Sequence, residues 1–285
     1  MRLHKLHCYG NDFLVAYQSD VGEGDYSGLA RSACERHTGI GADGLVFVKP
    51  TDDPGAFDYR IFNQDGSEAE LSGNGARCAC ALLHGKDWCK EDEIVLRTQC
   101  GDKTFQRLSQ DEGSRSYRGS LGKPDFRAEK IPFQDTHAAH IPERILRYPL
   151  DAGGEALQIT ALSMGNPQCQ ILMEALPKGE RFERLGSALE RHRVFPERAN
   201  VGFVQVVDEH KIRIKIWERG VGPTQSSGTG SSAAAVAAIA NGLCSSPVEV
   251  VTQTGCQSVQ WSEGEDVILT GEACYVAQID FHYRP

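Results

Sequence analysis

One pattern occurs twice in this chain, and the repetition constrains the fold more than any single motif does. Residues 215–242, KIWERGVGPTQSSGTGSSAAAVAAIANG, run from a β-branched, aromatic strand through a glycine turn into an alanine-rich helix. Residues 59–85, YRIFNQDGSEAELSGNGARCACALLHG, have the same order: aromatic strand, acidic glycine loop, Ser-Gly-Asn-Gly, then a small-residue helix closing at Gly85. Ser72 and Ser227 lie 155 residues apart, as do Asn63 and Glu218, and Asn11 and Asn166. Three pairs in one register across half a chain point to duplicated lobes, because unrelated turns would not keep a common offset. The unit is too long for a solenoid repeat, so the reading is two homologous lobes facing one cleft.

The repeated pattern suits anion binding. A strand that turns on glycine into a helix aims backbone N–H groups beyond the helix end, and glycine lets a ligand come close. In the second copy the expected cap is Ser231 or Ser232, and Gly242 after Asn241 is the stop signal. The plainer alternative is a turn followed by a helix packed tightly on a sheet. Short glycine motifs allow both readings, and the duplication favours the first.

The rest of the chain alternates many short strands with few helices. Strand patterns cover Leu14–Tyr17, Leu45–Val48, Asp58–Phe62, Ile94–Leu96, Leu157–Leu162 and Ala199–Val207, with three late strands at 248–252, 256–261 and 276–282. Helical patterns occupy Leu29–His37 and Arg181–His192, and a further glycine loop runs from Thr38 to Gly44. The stretch 120–135, with Pro124, Pro132 and mixed charge, reads as a linker. This pattern is α+β and not a doubly wound sheet.

Composition removes several function classes. The chain opens without a charged-then-apolar leader, and its longest small-apolar run, Ala233–Ala240, is far too short for a membrane span. Ten cysteines occur without paired Cys-x-x-Cys sets, so neither a zinc site nor a disulfide framework is expected. Reduced thiols in the cytoplasm are the default for such a chain. Cys78, Cys80, Cys169 and Cys244 read as small buried hydrophobes. A net charge of −9 argues against a nucleic-acid partner.

Six blocks then carry a family resemblance. Gly10-Asn11-Asp12-Phe13, Asn63-Gln64-Asp65-Gly66-Ser67, Gly73-Asn74-Gly75-Ala76-Arg77-Cys78, Gly165-Asn166-Pro167, Ala199-Asn200-Val201, and Trp217-Glu218-Arg219-Gly220 with Gly228-Thr229-Gly230 occur in order along the whole chain. The chain resembles diaminopimelate epimerase. That resemblance implies two pseudo-symmetric lobes, each a mostly antiparallel β-barrel around a central helix: residues 1–120 with 275–285 returning to them, and residues 121–274. It implies a cytoplasmic, cofactor-independent isomerase without a metal, interconverting LL- and meso-diaminopimelate for lysine biosynthesis. Relatives dimerise, but no feature of this sequence decides whether this chain is a homodimer. By the resemblance, Asn11, Asn63, Asn166, Asn200 and Arg219 grip the non-reacting end of a diaminopimelate-like amino acid. Gly73, Asn74, Gly228 and Thr229 supply donors to the reacting carboxylate.

The chain departs from the family at the reacting atoms. The resemblance places two catalytic cysteines, one for each face of the α-carbon, at Ser72 and Ser227, and a histidine that sets thiol protonation at Gln168. A thiol titrates near 8.5 and a helix N-terminus pulls it toward working pH. A serine hydroxyl needs a neighbouring general base, which Gln168 is not. Glu218 is the titratable member of the set that remains. Two readings follow: an epimerase with weak turnover or a different acid/base pair such as Glu218, and an amino-acid-binding protein without turnover. An engineered trap of an active enzyme and a one-sided lyase are further alternatives, set against by Gln168 and by the loss of both thiols respectively. Each residue also has a plainer role: Ser72 and Ser227 as N-caps, Glu218 and Arg219 as a surface ion pair, Asn63 and Asn200 as turn residues.

Overall fold

A computed structural model of the chain describes residues 1–22, 24–111 and 113–283. In chain order the elements are β1 (Arg2–Cys8), β2 (Asn11–Tyr17), α1 (Gln18–Val21), α2 (Tyr26–Cys34), β3 (Gly44–Pro50), β4 (Ala56–Asn63), β5 (Glu68–Ala69), α3 (Gly73–Gly85), β6 (Glu93–Thr98), β7 (Gly101–Asp111) and β8 (Ser114–Ser120). There follow β9 (Tyr148–Ala152), β10 (Glu155–Ser163), β11 (Pro167–Met173), α4 (Gly179–Glu190), β12 (Asn200–Asp208), β13 (Lys211–Glu218), β14 (Gly222–Thr224), α5 (Gly228–Ala240), β15 (Val248–Val251), β16 (Cys256–Gln260) and β17 (Ile268–Asp280). The chain divides into two compact units, Met1–Ser120 with Thr270–Pro285, and Leu121–Leu269. The returning segment thus starts at Thr270, ahead of residue 275, while Arg284 and Pro285 at its end lie outside the described residues.

In the first unit the strands close a ring: β1–β2, β2–β3, β3–β4, β4–β6, β6–β7, β7–β8, β8–β17 and β17–β1. Pairs β2–β3 and β4–β6 are parallel, and the other registered pairs are antiparallel. The second unit repeats that sequence of directions through β9–β10, β10–β11, β11–β12, β12–β13, β13–β15 and β15–β16, with β11–β12 and β13–β15 parallel. Even single registers recur: Ile61 faces Ala69 and Phe62 faces Glu68, while Ile216 faces Thr224 and Trp217 faces Pro223. These are the same positions 155 residues on. The mixed barrels and few helices match the α+β class expected from the strand spacing.

Each barrel encloses one helix on every face. From Gly73 to His84 every residue of α3 is buried, and in α5 every residue from Gly228 to Ala238 is. A helix with no solvent face cannot be amphipathic, and small side chains let strands approach it all round. The fit is close at its first turn. A Cβ added at Gly75 would lie 3.1 Å from Ile61 Cδ1, and one at Gly230 3.4 Å from Ile216 Cδ1.

Two sequence expectations change. The cap of α5 is Ser227, with Ser231 and Ser232 inside the helix and fully buried. The helix starts earlier than expected because the Gly-Thr-Gly run is its first turn and not its leading loop. The stretch 120–135 is not a free linker: Phe126, Ile131 and Phe133 are buried, and Asp125 bridges to Ser163. Its apolar residues anchor it to the second core more strongly than its prolines loosen it.

Buried His4 on β1 ties the stability of the first unit to pH. Its Nδ1 lies 3.1 Å from the Tyr275 hydroxyl. Burial, then the charge of Lys86, holds its pKa down at about 4, against an ordinary 6.5. Only the unfolded chain takes up this proton between those values, so stability is full above pH 6.5 and falls as pH drops toward 4. The loss should reach about 2–3 kcal/mol, and His4→Gln should flatten that part of the curve. Denaturant unfolding of both proteins from pH 7 to 4 checks this; parallel curves would sink it.

Candidate functional site

In the first lobe Ser72 caps α3, its Oγ accepting from the Gly75 amide at 3.1 Å. The first-turn amides of Gly73 and Asn74 have no acceptor within the helix, as at any helix start. Behind them lies a chain of side chains. The Arg77 guanidinium donates to Asn74 Oδ1, Asn74 Nδ2 donates to Asn11 Oδ1 at 2.9 Å, and Asn11 Nδ2 donates to Asp43 Oδ2 at 2.6 Å. Arg36 grips Asp43 Oδ1 at 2.7 Å and forks onto Asp12 at 2.8 and 3.3 Å. Lys5 completes the cluster, 2.9 Å from Asp12. Burial alone would raise the Asp12 carboxyl, but hydrogen bonds from Arg36 and Lys5 bring it below the usual carboxylate range. Asp43 goes the other way, raised by burial and by the Asp12 charge. Asn63 stands apart from this chain, exposed, with Nδ2 donating to Ser67 Oγ at 3.0 Å in its own turn.

The second lobe has the same frame with other chemistry. Ser227 caps α5, accepting from the Gly230 amide at 3.3 Å, which leaves the Gly228 and Thr229 amides at the open end. Asn166 Oδ1 accepts from Gln168 Nε2 at 2.7 Å, and Gln168 Oε1 accepts from Gln170 Nε2 at 3.4 Å. Gln168 is therefore committed on both its amide atoms and buried. Asn200 is also committed: Oδ1 accepts from the Arg219 amide at 3.0 Å, and Nδ2 donates to Pro167 O at 3.1 Å. It ties the Gly-Asn-Pro turn to the Glu218-Arg219 turn. Glu218 ends β13 opposite Gly222, and the exposed Arg219 donates from Nη1 to Glu197 O at 3.2 Å.

Three residues that sequence reasoning did not single out hold these turns. Asp43 lies in the Thr38–Gly44 loop and Arg36 just ahead of it, and the loop's glycines were the available signal. Glu190, at the end of α4, is 2% exposed and accepts from Trp217 Nε1 at 3.0 Å and from the Gly220 amide at 2.9 Å. Burial would raise its pKa, but those two donors, with Arg191 and Arg198, hold it below the ordinary glutamate value. Nothing in the local sequence separates it from a surface helical glutamate.

The four cysteines read as small buried hydrophobes are buried. Cys78, Cys80 and Cys169 are buried with thiols pushed up by that burial, and buried Cys244 shifts the same way. Burial also raises Cys8, but Cys78 and Arg77 outweigh it and bring Cys8 to about 7. Its Sγ donates to Asn74 O at 3.4 Å, beneath the helix start and away from solvent.

A family model described as Diaminopimelate epimerase matches residues 3–123 and 160–276. The diaminopimelate epimerase of Pelotomaculum thermopropionicum is 38% identical over 287 residues, covering 100% of both chains. That of Ectopseudomonas mendocina is 38% identical over 278 residues, covering 97% of each. Among solved structures, a Bacillus anthracis phenazine biosynthesis protein of the PhzF family superposes with a TM-score of 0.72 at 15% identity, covering 99% of each chain. A probable proline racemase from Agrobacterium radiobacter K84 superposes with a TM-score of 0.70 at 18% identity, covering 100% of this chain and 93% of that one. Likeness at such low identity speaks for the fold.

The Glu190 contacts generate a direct test. Glu190→Ala would take the acceptor from the half-buried Trp217 Nε1 and from the Gly220 amide and leave a gap beneath the turn, and it should cost about 2 kcal/mol. Glu190→Gln, which keeps one acceptor, should cost less. Denaturant titration decides, and an alanine variant within about 1 kcal/mol of the parent would mean that the turn holds itself.

Proposed function

Because the chain belongs to the diaminopimelate epimerase family, we propose that it takes a diaminopimelate-like amino acid in lysine biosynthesis and moves the α-proton without a thiol pair. The observation that carries this is the pair of serine-capped helix ends, each with two first-turn amides left for a carboxylate. In this reading Gly73, Asn74, Gly228 and Thr229 hold the reacting carboxylate. Asn11, Asn166 and Arg219 face the other end of the ligand, while Asn200 acts through Arg219 and Asn63 through its turn. Ser72 and Ser227 spend their hydroxyl oxygens as caps, and a hydroxyl carries a proton usefully only with a general base beside it. Proton transfer then falls to Glu218, acting through a water held at a serine hydroxyl. A cytoplasmic homodimer, free of metal and organic cofactor, belongs to the same proposal.

Gln168 favours a second reading, binding without turnover, because both its amide atoms are spent on neighbours. Proton NMR with LL-diaminopimelate in deuterium oxide separates the two. The first reading expects slow, protein-dependent loss of the α-proton signal, abolished by Glu218→Gln. A variant carrying Ser72→Cys, Ser227→Cys and Gln168→His should exchange about 10²–10⁴-fold faster, the usual worth of a positioned acid/base group. Binding without any loss of signal selects the second reading, and absence of binding would remove the substrate assignment.

A further inference from the structure

We infer that Asp43, clamped by Arg36, is a positioning residue that fixes the Asn11 amide with its nitrogen toward the carboxylate, leaving one N–H as the group Asn11 offers a ligand. The two ends of an amide side chain are ordinarily interchangeable, and their assignment rests on neighbours. Here the neighbours leave no choice. One end of the relay is the Arg77 guanidinium, which only donates, so Asn74 must turn Oδ1 to it. Asn74 Nδ2 must then face Asn11 Oδ1, at 2.9 Å. The other end is Asp43 Oδ2, which already accepts from the Asp12 amide at 3.1 Å and takes Asn11 Nδ2 at 2.6 Å. Arg36 donates to the second oxygen at 2.7 Å, which fixes the orientation of a carboxylate whose oxygens only accept. Donor-only and acceptor-only groups at opposite ends give the relay one sense.

The consequence concerns selectivity. Asn11 has two N–H groups, of which Asp43 takes one, and a carbonyl already engaged by Asn74. What remains at Asn11 suits a carboxylate better than an ammonium or a carboxamide, whose own N–H groups meet a donor. The second lobe supplies a contrast. Asn166 accepts from Gln168, which in turn accepts from Gln170, a run of neutral amides among the described residues, and the Gln170 carbonyl oxygen is buried without a partner. The same asparagine position is therefore enforced by charge in one lobe and only biased in the other.

The selectivity part rests on the ligand assignment proposed above, but the direction of the relay does not, and the test keeps them apart. In the isotope-labelled full chain, side-chain amide NMR should show one Asn11 proton protected from solvent exchange and the other exchanging freely. Asp43→Asn should speed exchange of the protected proton more than tenfold, and Asp43→Glu should restore protection. Asp43→Asn should also weaken LL-diaminopimelate binding about tenfold or more and shrink the preference for it over its monoamide, read by calorimetry. Unchanged Asn11 exchange in Asp43→Asn overturns the inference, as does loss of affinity with the carboxylate preference intact. Should wild-type protein bind no diaminopimelate, the ligand assignment fails while the exchange pattern still decides the relay. If Asp43→Asn does not fold, Arg36→Gln carries the same readout, since it releases the carboxylate that holds Asn11.

Discussion

A helix enclosed on every face by strands has one place to meet solvent or ligand, its ends. The first turn of an α-helix starts with amides that have no intrahelical acceptor, and leaving them buried and unpaired costs more than most single contacts return. In α3 and α5 a serine oxygen takes one of them. The next amides belong to Gly73 and Asn74, and to Gly228 and Thr229, positions where small residues leave room for an anion. The barrel that needs a small, side-chain-poor helix thus also creates a site with positive partial charge. Fold stability and the open amides at the helix starts have the same origin here.

The two lobes hold that frame with different materials. In the first, Lys5, Asp12, Arg36 and Asp43 form a compact set of opposed charges that grips Asn11 from behind. In the second, Gln168, Gln170 and Asn200 do the gripping with neutral amides, and charge enters through Glu190 beneath the Trp217–Gly220 turn. Duplication kept the strand registers, because one slipped residue turns every core side chain outward. It did not keep the polar clamps, because many donor and acceptor sets satisfy the same turn.

That difference explains what the sequence exposed. The duplicated lobes, the helix ends and the glycine turns were legible because backbone geometry restricts them to few residue types at fixed spacing. Ser227 was the harder cap to place, since Ser226, Ser227, Ser231 and Ser232 all meet the preference and only packing distinguishes them. The stretch 120–135 misled because its prolines and charges are local while the burial of Ile131 and Phe133 is not. Asp43 and Glu190 were invisible for a related reason: an acidic residue in a loop or at a helix end is common, and its role depends on partners far along the chain. Asn200 illustrates the limit within a matched motif. The resemblance matches it to a ligand contact, yet its side chain is spent on Pro167 O and the Arg219 amide.

Serine at positions 72 and 227 sets stability against chemistry. As a helix cap serine is among the best residues, worth about 1 kcal/mol over a non-capping side chain, and both hydroxyls accept a first-turn amide here. As a proton carrier it is poor, because its hydroxyl is a far weaker acid than a thiol and needs a general base beside it. The same helix end that lowers a thiol's pKa toward neutrality leaves a hydroxyl protonated. Serine at both positions therefore holds the two helix starts firmly while offering little acidity there. In the second lobe the turn that carries Glu218 is the one that Glu190 and Asn200 hold in place.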